Sequence, residues 1–446
     1  MYRASLFLLV LLTLFSQSGI AQVSLPPSPA DWIYQNETPG MNVGVAAPGD
    51  VNGDEFGDFL VSETGRVLLF LGSATGPAAT PDWILSIEPD ASVFVSDPVG
   101  DLNGDGFDEI LLSDGRLYMG SSAGPASPPV QTGFIRSEIA AGDVNGDGYG
   151  DLAVRKAGGA DVYHGSPSGI PATPSRSITG PRIRGVPVVE DVTGDGYDDL
   201  MLTSMDPPPG RQKYTSGSAS LHTWKGGPSG LAQEEMRVQK LPGPEQIAAL
   251  AGAGDANGDG QADLIAGMYC NEASCEDAPP IVALYGSPSG LHKAGDLMPG
   301  VRLREDSPIS GVGDVNGDGY DDAAVGVDFP DDFNRSVLLI FFGSAVGFNP
   351  SPGVLRGEIQ HELTEGDHFA WRAVGAGDVN GDGYADILVT SVWPAVFADG
   401  ASGRASLFLG RPDLAATATF QEATASAGAR RTRDSIRGWL TRDRDD

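Results

Sequence analysis

The sequence predicts an all-β chain, a seven-bladed β-propeller with an ion-binding loop between strands A and B of each blade. Three observations predict it. A nine-residue acidic stretch, cleanest at Asp314-Val-Asn316-Gly-Asp318-Gly319-Tyr320-Asp-Asp322, is written seven times, beginning at Asp50, Asp101, Asp143, Asp191, Asp255, Asp314 and Asp378. The copies recur every 42–64 residues, the spacing of propeller blades and solenoid units. Between copies the chain breaks into short β-type runs divided by turn residues. Its 62 Gly and 33 Pro accompany almost no helical periodicity.

Each copy sits in the same local frame. Strand A is a short apolar run ending in Gly-Asp, as in Val43–Gly49 and Val374–Gly377. Strand B follows the acidic loop directly: Phe59-Leu-Val, Ile110-Leu-Leu, Leu152-Ala-Val, Leu200-Met-Leu, Leu264-Ile-Ala, Ala323-Ala-Val and Ile387-Leu-Val. Strand C is a second apolar run such as Arg66–Leu71, Val282–Tyr285 or Ser336–Phe342. A Gly-Ser turn closes it (Gly72–Gly76, Gly165–Gly169, Gly286–Gly290, Gly343–Gly347), and a weaker strand D follows, as at Asp82–Ser86. Four antiparallel strands per unit and seven units give the propeller. Ala418–Gln421 or Trp32–Gln35 completes the last blade, and the sequence leaves that choice open.

The ends differ in composition. Residues 1–21 read as a secretory signal: Arg3, the apolar run Leu6–Phe15, then Ser18-Gly-Ile-Ala21. That run is too short to span a bilayer. The chain is therefore expected to be exported, extracellular or periplasmic, with no transmembrane segment. The propeller is assigned to 22–423 and an Arg-rich tail to 424–446. Cys270 and Cys275, the only cysteines, are expected to form a local disulfide in an exported protein. Asn36-Glu-Thr38 and Asn334-Arg-Ser336 are glycosylation sequons.

The net charge of −32 excludes nucleic acid and anionic membranes as natural partners. Positions 1, 5 and 9 of the loops supply 21 of the 60 acidic residues, so the acidity has the pattern of metal sites. Seven Ca²⁺ ions would bring the charge to about −18. Oxygen-bearing side chains at positions 1, 3, 5 and 9 suit a hard cation, since Ca²⁺ takes six to eight oxygens. Position 7 is bulky and would offer its carbonyl; the glycine at position 6 supplies a positive φ. A bare hairpin turn would not retain three carboxylates in every copy, because their repulsion goes uncompensated without a cation. An EF-hand or dockerin loop needs a carboxylate at position 12, where this chain has Val61, Leu112, Val154, Leu202, Ala266, Val325 and Val389.

Aspartate loops between strands, the upstream Gly-Asp and the Gly-Ser turn together resemble the FG-GAP/VCBS repeats of integrin α-subunit propellers, over about residues 30–421. The Phe-Gly signature itself is eroded, surviving best near Gly366-Asp-His-Phe369-Ala-Trp371 and Gly40–Gly44. The resemblance implies up to seven Ca²⁺ and an adhesive or recognition role. It assigns ligands loop by loop. Loop 1 has Asp50, Asn52, Asp54, Phe56 and Asp58, with Glu55 straining the turn in place of glycine. Loop 2 has Asp101, Asn103, Asp105, Phe107 and the longer Glu109. Loop 3 has Asp143, Asn145, Asp147, Tyr149 and Asp151. Loop 4 has Asp191, Thr193 in place of Asn, Asp195, Tyr197 and Asp199. Loop 5 has Asp255, Asn257, Asp259, Gln261 and Asp263. Loop 6 has Asp314, Asn316, Asp318, Tyr320 and Asp322, and loop 7 has Asp378, Asn380, Asp382, Tyr384 and Asp386.

No catalytic motif stands out. Gly120-Ser-Ser122-Ala-Gly124 matches a nucleophile elbow but aligns with the Gly-Ser turns of other blades. His164, His222, His292, His361 and His368 are scattered. The B–C loops lie on the face opposite the acidic loops. They are short in the first blades and lengthen at Ser204–Ser218, Met268–Pro280, Asp328–Arg335 and Ser391–Gly403. These carry Tyr214, Tyr269, Phe329, Phe333, Trp393 and Phe397 and are expected to form a partner-binding face. The function expected is recognition or adhesion towards an extracellular protein or glycan, without catalysis. The alternatives are a polysaccharide lyase built on a calcium propeller and a lectin-like carbohydrate binder.

Overall fold

The computed structural model describes residues 30–36, 43–88, 98–135, 138–180, 183, 187–206, 218–241, 246–269, 281–298, 303, 307–329, 332–355, 368–392 and 403–414. Residues 1–21, expected to be a signal sequence, the Arg-rich segment 424–446, both cysteines, Tyr214, Trp393, Phe397 and His361 lie outside them. Among the described residues no helix is long and apolar enough to cross a membrane.

The described chain is all strand and turn. β1 (Trp32–Gln35) comes first and stands apart from its neighbours in sequence. Blade 1 is β2 (Gly44–Gly49), β3 (Asp58–Glu63), β4 (Arg66–Phe70) and β5 (Trp83–Ser86). Blade 2 is β6 (Ile110–Leu111), β7 (Asp114–Tyr118) and β8 (Val130–Ile135); residues 89–97, where its first strand is expected, are outside the description. Blade 3 is β9 (Ile139–Gly142), β10 (Asp151–Lys156), β11 (Gly159–Tyr163) and β12 (Arg176–Thr179). Blade 4 is β13 (Val188–Glu190), β14 (Asp199–Asp206), β15 (Ser218–Trp224) and β16 (Arg237–Lys240). Blade 5 is β17 (Gln246–Gly252), β18 (Leu264–Tyr269), β19 (Ile281–Tyr285) and β20 (His292–Met298). Blade 6 is β21 (Ile309–Gly313), β22 (Asp322–Phe329), β23 (Asp332–Phe341) and β24 (Gly353–Leu355). Blade 7 is β25 (His368–Gly377), β26 (Asp386–Val392) and β27 (Arg404–Phe408), to which β1 is added.

β1 settles how the ring closes. It pairs antiparallel with β27, Trp32 opposite Leu407 and Gln35 opposite Arg404, as the outermost strand of blade 7. The signal was legible in a repeated triplet. Asp31-Trp-Ile33 copies Asp82-Trp-Ile84 of blade 1, and both aspartates accept a backbone N–H from the end of strand C, Leu409 and Leu71 respectively.

Strands B and C are buried on both faces, which is why they read as continuous apolar runs rather than alternating ones. The core is divided into wedges between blades. One cluster joins Val61, Phe59 and Phe70 of blade 1 to Leu388, Ala405 and Leu407 of blade 7. Trp32 closes that wedge, its ring 5.0 Å from Phe59 and 4.9 Å from Phe70. Others join blades 1 and 2 through Leu60 and Leu112, and blades 3 and 4 through Val162 and Leu202.

One expectation is corrected. Asp328–Arg335 is not a long loop: β22 runs to Phe329 and β23 begins at Asp332, so strands extend into a tight hairpin that carries Phe329 and Phe333. Strand likewise takes in Ser204–Asp206, Met268–Tyr269 and Ser391–Val392. Asn36, the first residue of its sequon, is buried at 3% exposure.

Candidate functional site

Six of the seven acidic loops share one hydrogen-bond scheme, seen cleanly in loop 6. The position-1 carboxylate folds the loop around itself. Asp314 Oδ1 accepts N–H groups from Gly317 (2.7 Å) and Asp318 (3.1 Å), and Oδ2 accepts from Gly319 (2.7 Å). Position 5 accepts from position 7, Tyr320 N to Asp318 Oδ1 at 3.1 Å. Position 9 is buried and ties the loop to the blade. Asp322 Oδ2 accepts from Val315 N (3.1 Å) and Oδ1 from Gly343 N (2.8 Å), the glycine of the Gly-Ser turn. Acidic loop and Gly-Ser turn are thereby joined on one face.

Negative charge is concentrated where water is scarce. Burial pushes the position-9 carboxyls of Asp58, Asp151, Asp263 and Asp386 up to about 7, with the acids at positions 1 and 5 adding to the rise. Asp322 and Glu109 rise to about 8 and Asp199 to about 6 by the same burial. Backbone N–H groups oppose the shift and do not cancel it. Among the described residues, loop 4 alone has a carboxylate paired with Lys or Arg, so six loops hold three acids with no cation beside them.

The donor set fits a hard divalent cation. In loop 2 one carboxylate oxygen each from Asp101, Asp105 and Glu109 lies within 4.8 Å of the other two, before any ion draws them together. Carboxylate, amide and carbonyl oxygens without sulfur or imidazole suit hard cations such as Ca²⁺, Mg²⁺ or Mn²⁺.

The loops also hold the ring together, a role that sequence spacing did not reveal. The carbonyl of each position-1 aspartate accepts the N–H of position 8 in the next blade. Asp50, Asp101, Asp143, Asp191, Asp255, Asp314 and Asp378 accept in turn from Asp108, Gly150, Asp198, Ala262, Asp321, Ala385 and Gly57, at 2.8–3.2 Å. A second circuit runs beside it. The position-2 carbonyls accept from the turn after the next blade's strand C, from Ser121 on Val51 round to Ser73 on Val379. A third is made by side chains. Each position-7 residue lies across the position-4 glycine of the preceding loop; a Cβ on Gly317 would stand 2.2 Å from Tyr384 Cε1, and one on Gly381 2.4 Å from Phe56 Cε1. Position 7 is therefore aromatic or long because it covers a neighbour.

Position 8 adds a clamp at alternate interfaces. Asp108, Asp198 and Asp321 each accept the N–H of the preceding blade's position 1, at 2.7, 2.7 and 2.8 Å. They add one hydrogen bond each between blades 1 and 2, 3 and 4, and 5 and 6. The alternation Asp, Gly or Ala at position 8 was visible in the sequence and carried no meaning until the neighbouring blade was in place.

Two loops depart from the pattern. In loop 1 Glu55 takes the positive φ of 72° that glycine has elsewhere, yet Gly53, Asp54 and Glu55 donate to Asp50 as in other loops. Open space surrounds the equivalent glycines, so the side chain meets no obstacle there. Loop 4 departs further. Thr193, buried at 4% exposure, donates its N–H to Asp199 (3.0 Å) where position 2 donates in the other loops, and its side chain also bears on the Asp199 carboxyl, opposing the upward push of burial. Lys225 Nζ lies 2.6 Å from Asp195 Oδ2.

On the opposite face, the described partner-face candidates Tyr269, Phe329 and Phe333 lie at strand ends. The structure adds Trp371, missed in the sequence. It is 40% exposed beside Ala370, whose φ is 56°, at a bulge near the start of β25. The Gly120–Gly124 segment is a turn like the others: Ser121 Oγ donates to Gly124 O (2.6 Å) as Ser73 Oγ donates to Gly76 O (2.7 Å). Ser204 Oγ lies 2.7 Å from His222 Nε2, and His222 Nδ1 lies 2.6 Å from Glu235 Oε1. The order is that of a Ser–His–carboxylate triad, but Ser204 is buried at 6% exposure and the chain of bonds links β14, β15 and the approach to β16.

The family model for the FG-GAP repeat matches residues 136–168 and 370–408. Integrin alpha-IIb of Mus musculus is 28% identical over 210 residues, 44% of this chain and 20% of that protein. Integrin alpha-8 of Homo sapiens is 32% identical over 165 residues, 34% of this chain and 15% of that protein. The chain thus spans about a fifth or less of the length of these relatives. Among solved structures, BBS1N in complex with ARL6DN, soaked with mercury, aligns with TM-score 0.45 and 10% identity over 85% of this chain and 96% of that one.

Proposed function

The chain is a β-propeller with FG-GAP repeats similar to those of integrin α subunits, and on that premise we propose that it is a secreted, calcium-stabilised module for recognition or adhesion. The observation that carries the calcium reading is charge without compensation. In six loops a buried ninth carboxylate sits with two further acids and no Lys or Arg partner. In each loop, positions 1, 5 and 9 with the position-3 side chain and position-7 carbonyl would hold the ion. When bound, Ca²⁺ supplies the positive charge that lets these groups stay ionised together at neutral pH. The loops themselves do the rest, since they carry both backbone circuits that join neighbouring blades.

Recognition is assigned to the opposite face. A rigid ring there presents Trp371 and the strand ends that carry Tyr269, Phe329 and Phe333, towards an extracellular protein or glycan. Catalysis is left out of the reading because the turn serine and the Ser204 chain both serve the fold.

Calcium titration of the chelated protein, followed by melting temperature, tests the first half. Extracellular calcium modules bind at about 10⁻⁴–10⁻³ M, so the melting point should rise within this range. A flat response up to about 10 mM would end the calcium reading. Glycan and extracellular-protein arrays probed with wild type and Trp371→Ala test the second half. Loss of capture in the variant supports this face; undiminished capture rejects Trp371 as an anchor.

A further inference from the structure

Loop 4 has a counter-charge of its own. Lys225 follows strand C of blade 4 directly, one residue before the turn glycine, a position held by Leu71, Met119, His164, Tyr285, Phe342 and Leu409 in blades 1, 2, 3, 5, 6 and 7. Its Nζ lies 2.6 Å from Asp195 Oδ2, at position 5 of the loop, and Asp191 and Asp199 lie near enough to stabilise the ammonium as well. Blade 4 is thus the blade in which that position bears an amine, and the amine is turned onto the acids.

The rest of loop 4 has shifted in the same sense. Asn at position 3 offers an amide oxygen and is half-buried in the other six loops; Thr193 offers only a hydroxyl and is buried at 4% exposure. The N–H received by the ninth carboxylate comes from position 3 instead of position 2, while the position-2 N–H of Val192 donates to Glu190 O at 2.9 Å. The scaffold still closes: Ala262 N donates to Asp191 O and Ser287 N to Val192 O, as at every other interface.

We propose that Lys225 is a built-in substitute for the cation of loop 4, so that the ring takes six divalent ions rather than seven. The proposal rests on the calcium reading given above. An exposed ion pair adds little stability by itself; its consequence is for occupancy. A divalent ion entering loop 4 must displace the ammonium from Asp195 or sit beside it, and it finds no amide oxygen at position 3. Loop 4 consequently keeps its shape when calcium is withdrawn, while the other six lose their counter-charge.

The test is to locate ions in crystals of the full chain grown in 10 mM CaCl₂, from anomalous differences collected at long wavelength. Wild type should show peaks in loops 1, 2, 3, 5, 6 and 7 and none in loop 4. Lys225→Met, which places at this position the residue that Met119 supplies in blade 2, should gain a peak in loop 4. A loop-4 peak in wild type overturns the proposal, and so does a variant whose loop 4 stays empty while the other six are filled. Peaks in no loop at all would sink the calcium reading and this inference together, a distinct result. Melting curves give a second readout in solution. Lys225→Met should show a larger rise in melting point on adding calcium than wild type; an equal rise counts against the proposal.

Discussion

Asp322 accepts two backbone N–H groups while fully buried, so the ninth carboxylate is a structural acceptor as well as a ligand candidate. Truncation by Asp322→Ala leaves Val315 N and Gly343 N unpaired, at about 1–3 kcal/mol for each. Urea denaturation in chelator, where no ion contributes, should show that loss. The glycines separate into two kinds by what surrounds them. Gly319 (φ 88°) opens on empty space, so Gly319→Ala should cost only about 1–2 kcal/mol of left-handed backbone energy. Gly317 (φ 75°) lies under the Tyr384 ring, and Gly317→Ala adds roughly 1–3 kcal/mol of overpacking to the same backbone cost. Chemical denaturation of the two variants side by side should rank them in that order. The spacing of Asp, Asn and Gly was enough to locate the seven acidic loops between strands. The reason for an aromatic at position 7, or for Asp108, Asp198 and Asp321 at position 8, lies on the adjoining blade, for those three aspartates 58, 55 and 66 residues away along the chain.

At the scale of the strand, runs such as Phe59-Leu-Val and Ile387-Leu-Val located every strand B, because a strand buried on both faces has no polar alternation to blur it. The long B–C connections were harder. Composition alone cannot separate a polar loop from two strands that project beyond the sheet, and Asp328–Arg335 proved to be such a hairpin. β1 carries the most consequence for its length. Trp32 packs between Phe59 and Phe70 and donates its indole N–H to Ala78 O at 3.1 Å, while Tyr34 donates to Glu63 Oε2 at 2.9 Å. Trp32→Ala should destabilise the fold by about 3 kcal/mol, the low end for a core tryptophan because its rim is exposed. Thermal unfolding would register it, and the fluorescence of the remaining tryptophans would report whether blades 1 and 7 part first.

At the scale of the whole ring, the position-9 carboxyls set a pH dependence whose sign is unusual for aspartates. Their folded pKa values of about 6 to 8 lie above the unfolded value near 4. The folded state therefore binds more protons than the unfolded one between those limits. The stability so conferred is complete below about pH 4 and is lost as pH rises through 6 to 8. Chelated protein should melt higher at pH 5 than at pH 8 by scanning calorimetry, and on the calcium reading 10 mM Ca²⁺ at pH 8 should remove the difference. A melting point that climbs from pH 5 to pH 8 in chelator would contradict it.

The placement of β1 bears on the order of events during biosynthesis. Residues 32–35 leave the ribosome ahead of the seven blades described, and their hydrogen-bonding mate, residues 404–407, emerges about 370 residues later. Until then the nascent polypeptide has one uncovered aromatic wedge on blade 1 and one idle β-segment ahead of it. Ring closure is thus a late, long-range event with a high entropic threshold. A ribosome that stops short of Arg404 releases an open arc, prone to borrow its missing strand from a second molecule.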